Sequence, residues 1–303
     1  MNNKVTKTNG NNRQKNFETE KLKTGQSSDF HFSVSKFFCL SSSSSRAFSR
    51  VDMLAVMAVV ALLSGVFAYG RLGERGRVAR CARNLAVLGQ AMQSFAQDHK
   101  GGLPPSGMES PETSWDVDLV PYLAPQFGQS KSPSANRQLI KTVASDFCCP
   151  SDSVKRDYPR TYVMSAHDMK PENWPPGRDS ATGVGIWWSK QAVRNQLGDD
   201  ADEEAATNRD VLPAVMLSDI PQPADTLLLT ELVQRDNRLG GVSQVRIWTA
   251  EAQRAAFKGD SSRFHGGRFN YLMADGHVEL LTPLQTGTTS GGAGIWSIKK
   301  EGR

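Results

Sequence analysis

The 303-residue chain is 38% hydrophobic and 22% charged, the balance of an ordinary globular protein, which excludes a fibrous or wholly disordered chain and allows one or two modest domains. Its formal charge of +5 belongs to the start: residues 1–46 hold eight Lys/Arg against three Asp/Glu, and the remainder carries 28 of each sign. A body without basic excess lacks the phosphate-neutralising surface that non-specific nucleic-acid binding needs, so no nucleic-acid partner is expected.

Residues 1–47 form a polar leader, Asn-rich at first and closing on the serine run 41–45. It has too little apolar surface to fold alone. Residues 53–70 then carry no charge. At the helical rise they extend about 27 Å, close to the hydrocarbon thickness of a bilayer. The run is longer than a secretory signal core and ends in Arg71, Glu74 and Arg75 rather than in a small-residue cleavage site, so residues 48–70 are expected to span a membrane. The basic leader keeps the N-terminus cytoplasmic by the positive-inside tendency, with the C-terminal domain outside; Arg71, Arg75, Arg77, Arg80 and Arg83 pull the other way.

Starting among these arginines, Val78, Cys81, Leu85, Leu88, Met92 and Phe95 recur at alternating spacings of three and four, which predicts an amphipathic helix over residues 71–100. One helix from about residue 51 to 98 is the simplest reading, stopped by Gly101, Gly102, Pro104 and Pro105. Gly70, Gly73 and Gly76 weaken it by about 1 kcal/mol each relative to alanine, so a bend or local melting is expected there.

The stretch AFSRVDMLAVMAVVALLSGVFA, followed by RVARCARNLAVLGQAMQSFAQDHKGGLPPS, resembles the N-terminus of type IV pilin-like and type II secretion pseudopilin-like proteins. The resemblance implies a prepilin-type cut between Ala47 and Phe48, with Phe48 methylated as the new N-terminus and Asp52 as the acidic fifth residue. It also implies the partners: the membrane, a prepilin peptidase, and further pseudopilin-like subunits in a homo- or hetero-oligomer held through the N-terminal helix. A carboxylate within a spanning segment costs on the order of 3 kcal/mol unless it is paired or near the interface. For Asp52, a neighbouring subunit's α-amino group, Arg50, or the headgroup region each remains open as the answer.

The remaining residues, 101–303, are expected to form an α+β head. In FHGGRFNYLMADGHVELL, residues 269–274 read as a strand, Asp275-Gly276 as a tight turn supplying positive φ, and residues 277–281 as the returning strand. His265, nine intervening residues and Asp275-Gly276 resemble the prepilin-type processing-associated His-x9-Asp-Gly domain; Cys149-Pro150-Ser151-Asp152, Pro159-Arg160-Thr161-Tyr162 and Gly294-Ile295-Trp296 are similar to its other landmarks. His265 is read as a structural residue bonded to a backbone group or to the Asp275 carboxylate. A metal site of His265, Asp275 and His277 is the sharper reading, without the spacing of a zinc motif. Residues 161–165, 226–233 and 245–249 are further strands, giving an antiparallel sheet on the helix stripe, while 104–134 and 167–223 read as loop-rich insertions.

Of the four cysteines, Cys39 lies in the leader, Cys81 on the helix, and Cys148 and Cys149 adjoin. No CxxC pair offers a zinc or redox motif. In an oxidising periplasm Cys81 is free to bridge Cys149 or Cys148; otherwise it is a small apolar core residue. The run Asp199, Asp200, Asp202, Glu203 and Glu204 lacks calcium-loop spacing and reads as a solvated loop, and Trp174, Trp187 and Trp188 as packing rather than a sugar-stacking surface. No nucleophile-elbow, zinc-protease or phosphate-loop motif occurs, so neither catalysis nor a cofactor is expected. The reading is a membrane-anchored, pseudopilin-like structural subunit. Its alternatives are a monomeric single-span envelope protein binding a carbohydrate or protein ligand, and a divergent periplasmic hydrolase using His265 and Asp275.

Overall fold

The computed structural model describes residues 49–109, 112–127, 136, 138–167, 183–198, 211–257, 264–287 and 294–298, with the backbone alone at 66–72. Two compact units are present, Met1–Ala58 and Val59–Arg303. The described part of the first is the opening of helix α1 (Arg50–Asp98). There the Ser49 hydroxyl accepts the Asp52 N–H at 3.2 Å and the Asp52 carboxylate accepts the Ser49 N–H at 3.0 Å. This reciprocal cap satisfies two otherwise unpaired donors and sets a negative charge at the positive end of the helix. Val51, Met53, Leu54, Val56 and Met57 are exposed. Residues 53–56 and their neighbours point around the whole helix circumference, so this segment is apolar on every side. The cleavage-site residues Ala47 and Phe48, and Cys39, lie outside the described residues.

In the second unit α1 first leaves Val59, Val60, Leu62 and Leu63 exposed. Among the described residues no helix is long and apolar enough to cross a membrane; the described side chains of the apolar run 53–70 stop at Gly65. The helix runs unbroken through Gly70, Gly73 and Gly76, so the expected melting is not found. From Cys81 onward the stripe is buried at Cys81, Leu85, Leu88, Met92 and Phe95, while Val78 is half-buried. Each large apolar side chain contributes about 1.5–3 kcal/mol by leaving water. The helix ends at Asp98: Lys100 and Gly101 turn left-handed, and the Gly101 N–H returns to the Ala96 carbonyl at 2.7 Å.

The main sheet has five strands in the order β6-β3-β5-β7-β8, namely β3 (Tyr162–Ser165), β5 (Leu227–Glu231), β6 (Arg246–Ile247), β7 (Phe269–Met273) and β8 (Val278–Leu281). Its pairs are antiparallel except β6, which runs parallel to β3, so the sheet is mixed rather than wholly antiparallel. Strands β3, β5 and β7 are buried throughout, as strands covered on both faces must be. Gly89 brings α1 close on one face: a Cβ there would lie 2.9 Å from Leu272 Cδ1. Tyr271, pointing to the other face, donates its hydroxyl to Gln253 at 2.6 Å on the short helix α4 (Ala250–Ala256).

The stretches read as loop-rich carry regular structure. Strands β1 (Gly107–Glu109), β2 (Glu112–Ser114) and β4 (Trp187–Trp188) form a second sheet in the order β2-β1-β4. Helix α2 (Trp115–Leu123) follows β2 directly, and α3 (Lys190–Leu197) follows β4 with Ser189 as its cap. Tertiary burial overrides local sequence here, since α2 is buried from Trp115 to Pro121 and is held although it contains a proline. The β7–β8 turn is also a variant of the expected one. Gly276 is left-handed at φ 96° while Asp275 is not, and the Gly276 N–H bonds the Met273 carbonyl at 2.9 Å. That is a three-residue loop with a glycine bulge.

Candidate functional site

Cys81 on α1 and Cys149 form a disulfide with Cα atoms 5.0 Å apart, and both residues are wholly buried. Cys148 is the free, half-buried thiol. The bridge joins two sequence landmarks to the helix. The Cys149 N–H bonds the Thr161 hydroxyl at 3.0 Å, and that hydroxyl donates to Asp152 at 2.7 Å. Asp152 is paired with Arg156, both side chains being inaccessible. The Tyr162 hydroxyl reaches the Cys81 carbonyl at 3.4 Å.

His265 sits directly on this bridge. The residue itself is left-handed (φ 48°), followed by left-handed Gly266 and Gly267; glycine accepts such φ at no steric cost, and the run folds the chain back before β7 begins. The ring Nε2 lies 3.3 Å from Cys149 Sγ and 3.2 Å from Glu231 Oε1, and Nδ1 lies 3.0 Å from Glu74 Oε1. Glu231, wholly buried on β5, accepts the Asn270 N–H at 2.8 Å and the Asn270 amide at 3.0 Å. Glu74 also pairs with Arg77 and accepts the Ser151 hydroxyl at 3.3 Å. Burial pushes the imidazole down, but the Glu231 and Glu74 carboxylates together outweigh it and hold the His265 pKa above the ordinary histidine value. For Glu74, burial works upward and is overcome by His265 and Arg77, leaving its carboxyl below the ordinary range. The arrangement therefore favours an imidazolium between two carboxylates, fastening the α1 residue Glu74 to the sheet.

Four donor atoms, from Cys81, Cys149, Glu231 and His265, lie within 4.8 Å of one another. A divalent metal takes thiolates, so this set could hold one only after reduction of the bridge. Its burial withholds the sulfurs from reductant, and the group as it stands is a fastening.

The predicted site residues separate. His265 precedes β7 and Asp275 follows it, so they do not meet; Asp275 instead accepts from its neighbour His277, with Nδ1 at 2.6 Å and the backbone N–H at 3.1 Å. The His265, Asp275 and His277 metal grouping is not formed. Gly276 is the turn glycine, beside Gln93 of α1. Trp188 is buried and Trp187 half-buried; Trp174 and the acidic run 199–204 lie outside the described residues.

Sequence reasoning missed the partners. Glu74 and Glu231 are the carboxylates of His265, and neither has a local motif to mark it. A second buried centre pairs Arg160 with Asp116 at 3.0 Å, while the guanidinium also bonds Asn237 Oδ1 at 2.7 Å and the Gly241 and Ser243 carbonyls at 3.2 and 3.0 Å. Only Arg160 was visible in advance, as part of a landmark. No family model, curated protein or solved structure matches this chain.

Proposed function

We propose that the protein is a single-pass, membrane-anchored subunit of pseudopilin-like type, with its leader cytoplasmic and its head in the periplasm, which assembles with like subunits through the first half of α1. The observation that carries this reading is the opening of that helix: nine large apolar side chains between residues 51 and 63, each more than half exposed, on a segment with no polar face. A helix of that kind requires lipid or other helices around it. The same helix continues with its stripe buried in the head and is fastened there by the Cys81–Cys149 bridge and by Glu74. A buried disulfide accords with an oxidising compartment. The role is assembly rather than catalysis: the His265 imidazole is held between Glu74 and Glu231 and serves to fasten α1 to the sheet.

A photo-crosslinking amino acid in place of Leu62, in the full chain expressed in a bacterial membrane, tests this directly. A ladder of crosslinked subunits is expected, lost when Val56 and Val59 are both replaced by Asp. A monomer alone would favour the single-span binding protein instead.

A further inference from the structure

On the edge strand β6, Arg246 lies between two indoles: its guanidinium carbon is 5.1 Å from the Trp187 ring and 5.1 Å from the Trp248 ring. Contacts of this kind attract a cation to the ring face and leave the in-plane N–H donors unused. Among the described residues no carboxylate or carbonyl is bonded to them. Partial burial without an anion pushes the Arg246 pKa down to about 10, the mark of a cation partly withdrawn from water and not compensated. Asp116 compensates the buried Arg160; among the described residues Arg246 has no such partner.

The surroundings are those of a ligand cleft. A cavity of about 360 Å³ is lined by Trp187, Trp248, Arg246, Gln234 and Gln244, within the usual size range of small-molecule sites, roughly 300–1,000 Å³. Trp248 is 46% exposed, a large aromatic surface left to solvent. Gln244 holds a left-handed backbone at φ 53°, a conformation costly for a residue with a side chain and found disproportionately where a structure presents groups to a ligand.

From these features we infer that the cleft between Trp187, Arg246 and Trp248 binds an acidic saccharide, a sugar residue carrying a carboxylate. The guanidinium would take the carboxylate through paired N–H donors. The open face of Trp248 suits the apolar C–H face of a pyranose ring, and the Gln234 and Gln244 amides offer both donors and acceptors to hydroxyls. Binding would also return to Arg246 the counter-charge that it lacks. This concerns the head alone and is independent of how the helix assembles.

Isothermal titration of the full chain in mild detergent, with trigalacturonate, the neutral galactotriose, sodium sulfate and a tripeptide with a free C-terminal carboxylate, tests it. Trigalacturonate is expected to bind with a Kd below 1 mM, about tenfold or more tighter than each of the other three. Arg246→Gln and Trp248→Ala should each weaken it at least tenfold, with Arg246→Lys between. Trp248 is surface-exposed, so its variant keeps the test sound if Arg246→Gln unfolds. No heat with trigalacturonate, equal binding of galactotriose or sulfate, tighter binding of the tripeptide, or an unchanged Trp248→Ala variant would each overturn the inference.

Discussion

Replacing both Cys81 and Cys149 by alanine probes the fastening between α1 and the head. The bridge closes a loop across a sequence separation of 68, for which the chain-entropy relation gives about 4 kcal/mol at 25 °C. Alanine is the cleaner probe, because serine would bury two hydroxyls where the sulfurs are inaccessible. Urea unfolding of the full chain in mild detergent, followed by tryptophan fluorescence, is the assay. With a slope of about 1–3 kcal/mol per molar, the midpoint should fall by about 1.3 M or more. Non-reducing peptide mapping of the parent should recover Cys81 with Cys149 and leave Cys148 alkylatable. A double variant within about 0.3 M of the parent, or a bridge through Cys148, would refute the reasoning.

Four further outcomes concern the buried ion pairs and the hairpin turn. Because the folded His265 pKa lies above its ordinary value of 6.5, its stabilisation is complete below about pH 6.5 and is lost as pH rises through the raised value; melting temperatures measured from pH 5.5 to 9 should fall across that interval in the parent and stay flatter in His265→Gln. Glu74 has the opposite sign, its contribution present above pH 4.5 and lost as pH falls through its lowered pKa. Arg160→Met or Asp116→Leu alone should cost about 3–5 kcal/mol in urea unfolding by stranding the other buried charge, whereas the double variant should be more stable than either single one. Gly276→Ala, forcing a side chain to φ 96°, should cost about 1–2 kcal/mol, measured by the same unfolding curves.

Periodicity made some of this architecture legible. The three-and-four spacing from Cys81 to Phe95 identified the helix face that is buried, and the apolar run around Asp275-Gly276 identified the β7–β8 hairpin, because both signals are local. Helix α2 and the small sheet were not legible: their residues lie among prolines and serines, and burial against distant elements holds them in form. The parallel placement of β6 beside β3 is likewise a long-range choice with no local trace. At the candidate site His265 stood out by its motif, yet its partners Glu74 and Glu231 lie 191 and 34 residues away in sequence. Nothing in the chain nearby marks them. Trp187 was visible as an aromatic pair with Trp188, but Arg246 between two indoles exists only once β6 lies at the sheet edge near β4.

The first half of α1, where Val51, Leu54, Val59 and Leu62 are bare, requires an apolar environment of lipid or other helices. Alkaline carbonate extraction of membranes from cells making the full chain measures it most directly. The protein is predicted to stay in the membrane pellet, and to move to the supernatant when Val56, Val59 and Leu63 are replaced by Asp. Recovery of the parent chain in the supernatant without detergent would contradict the anchor and, with it, assembly through this helix.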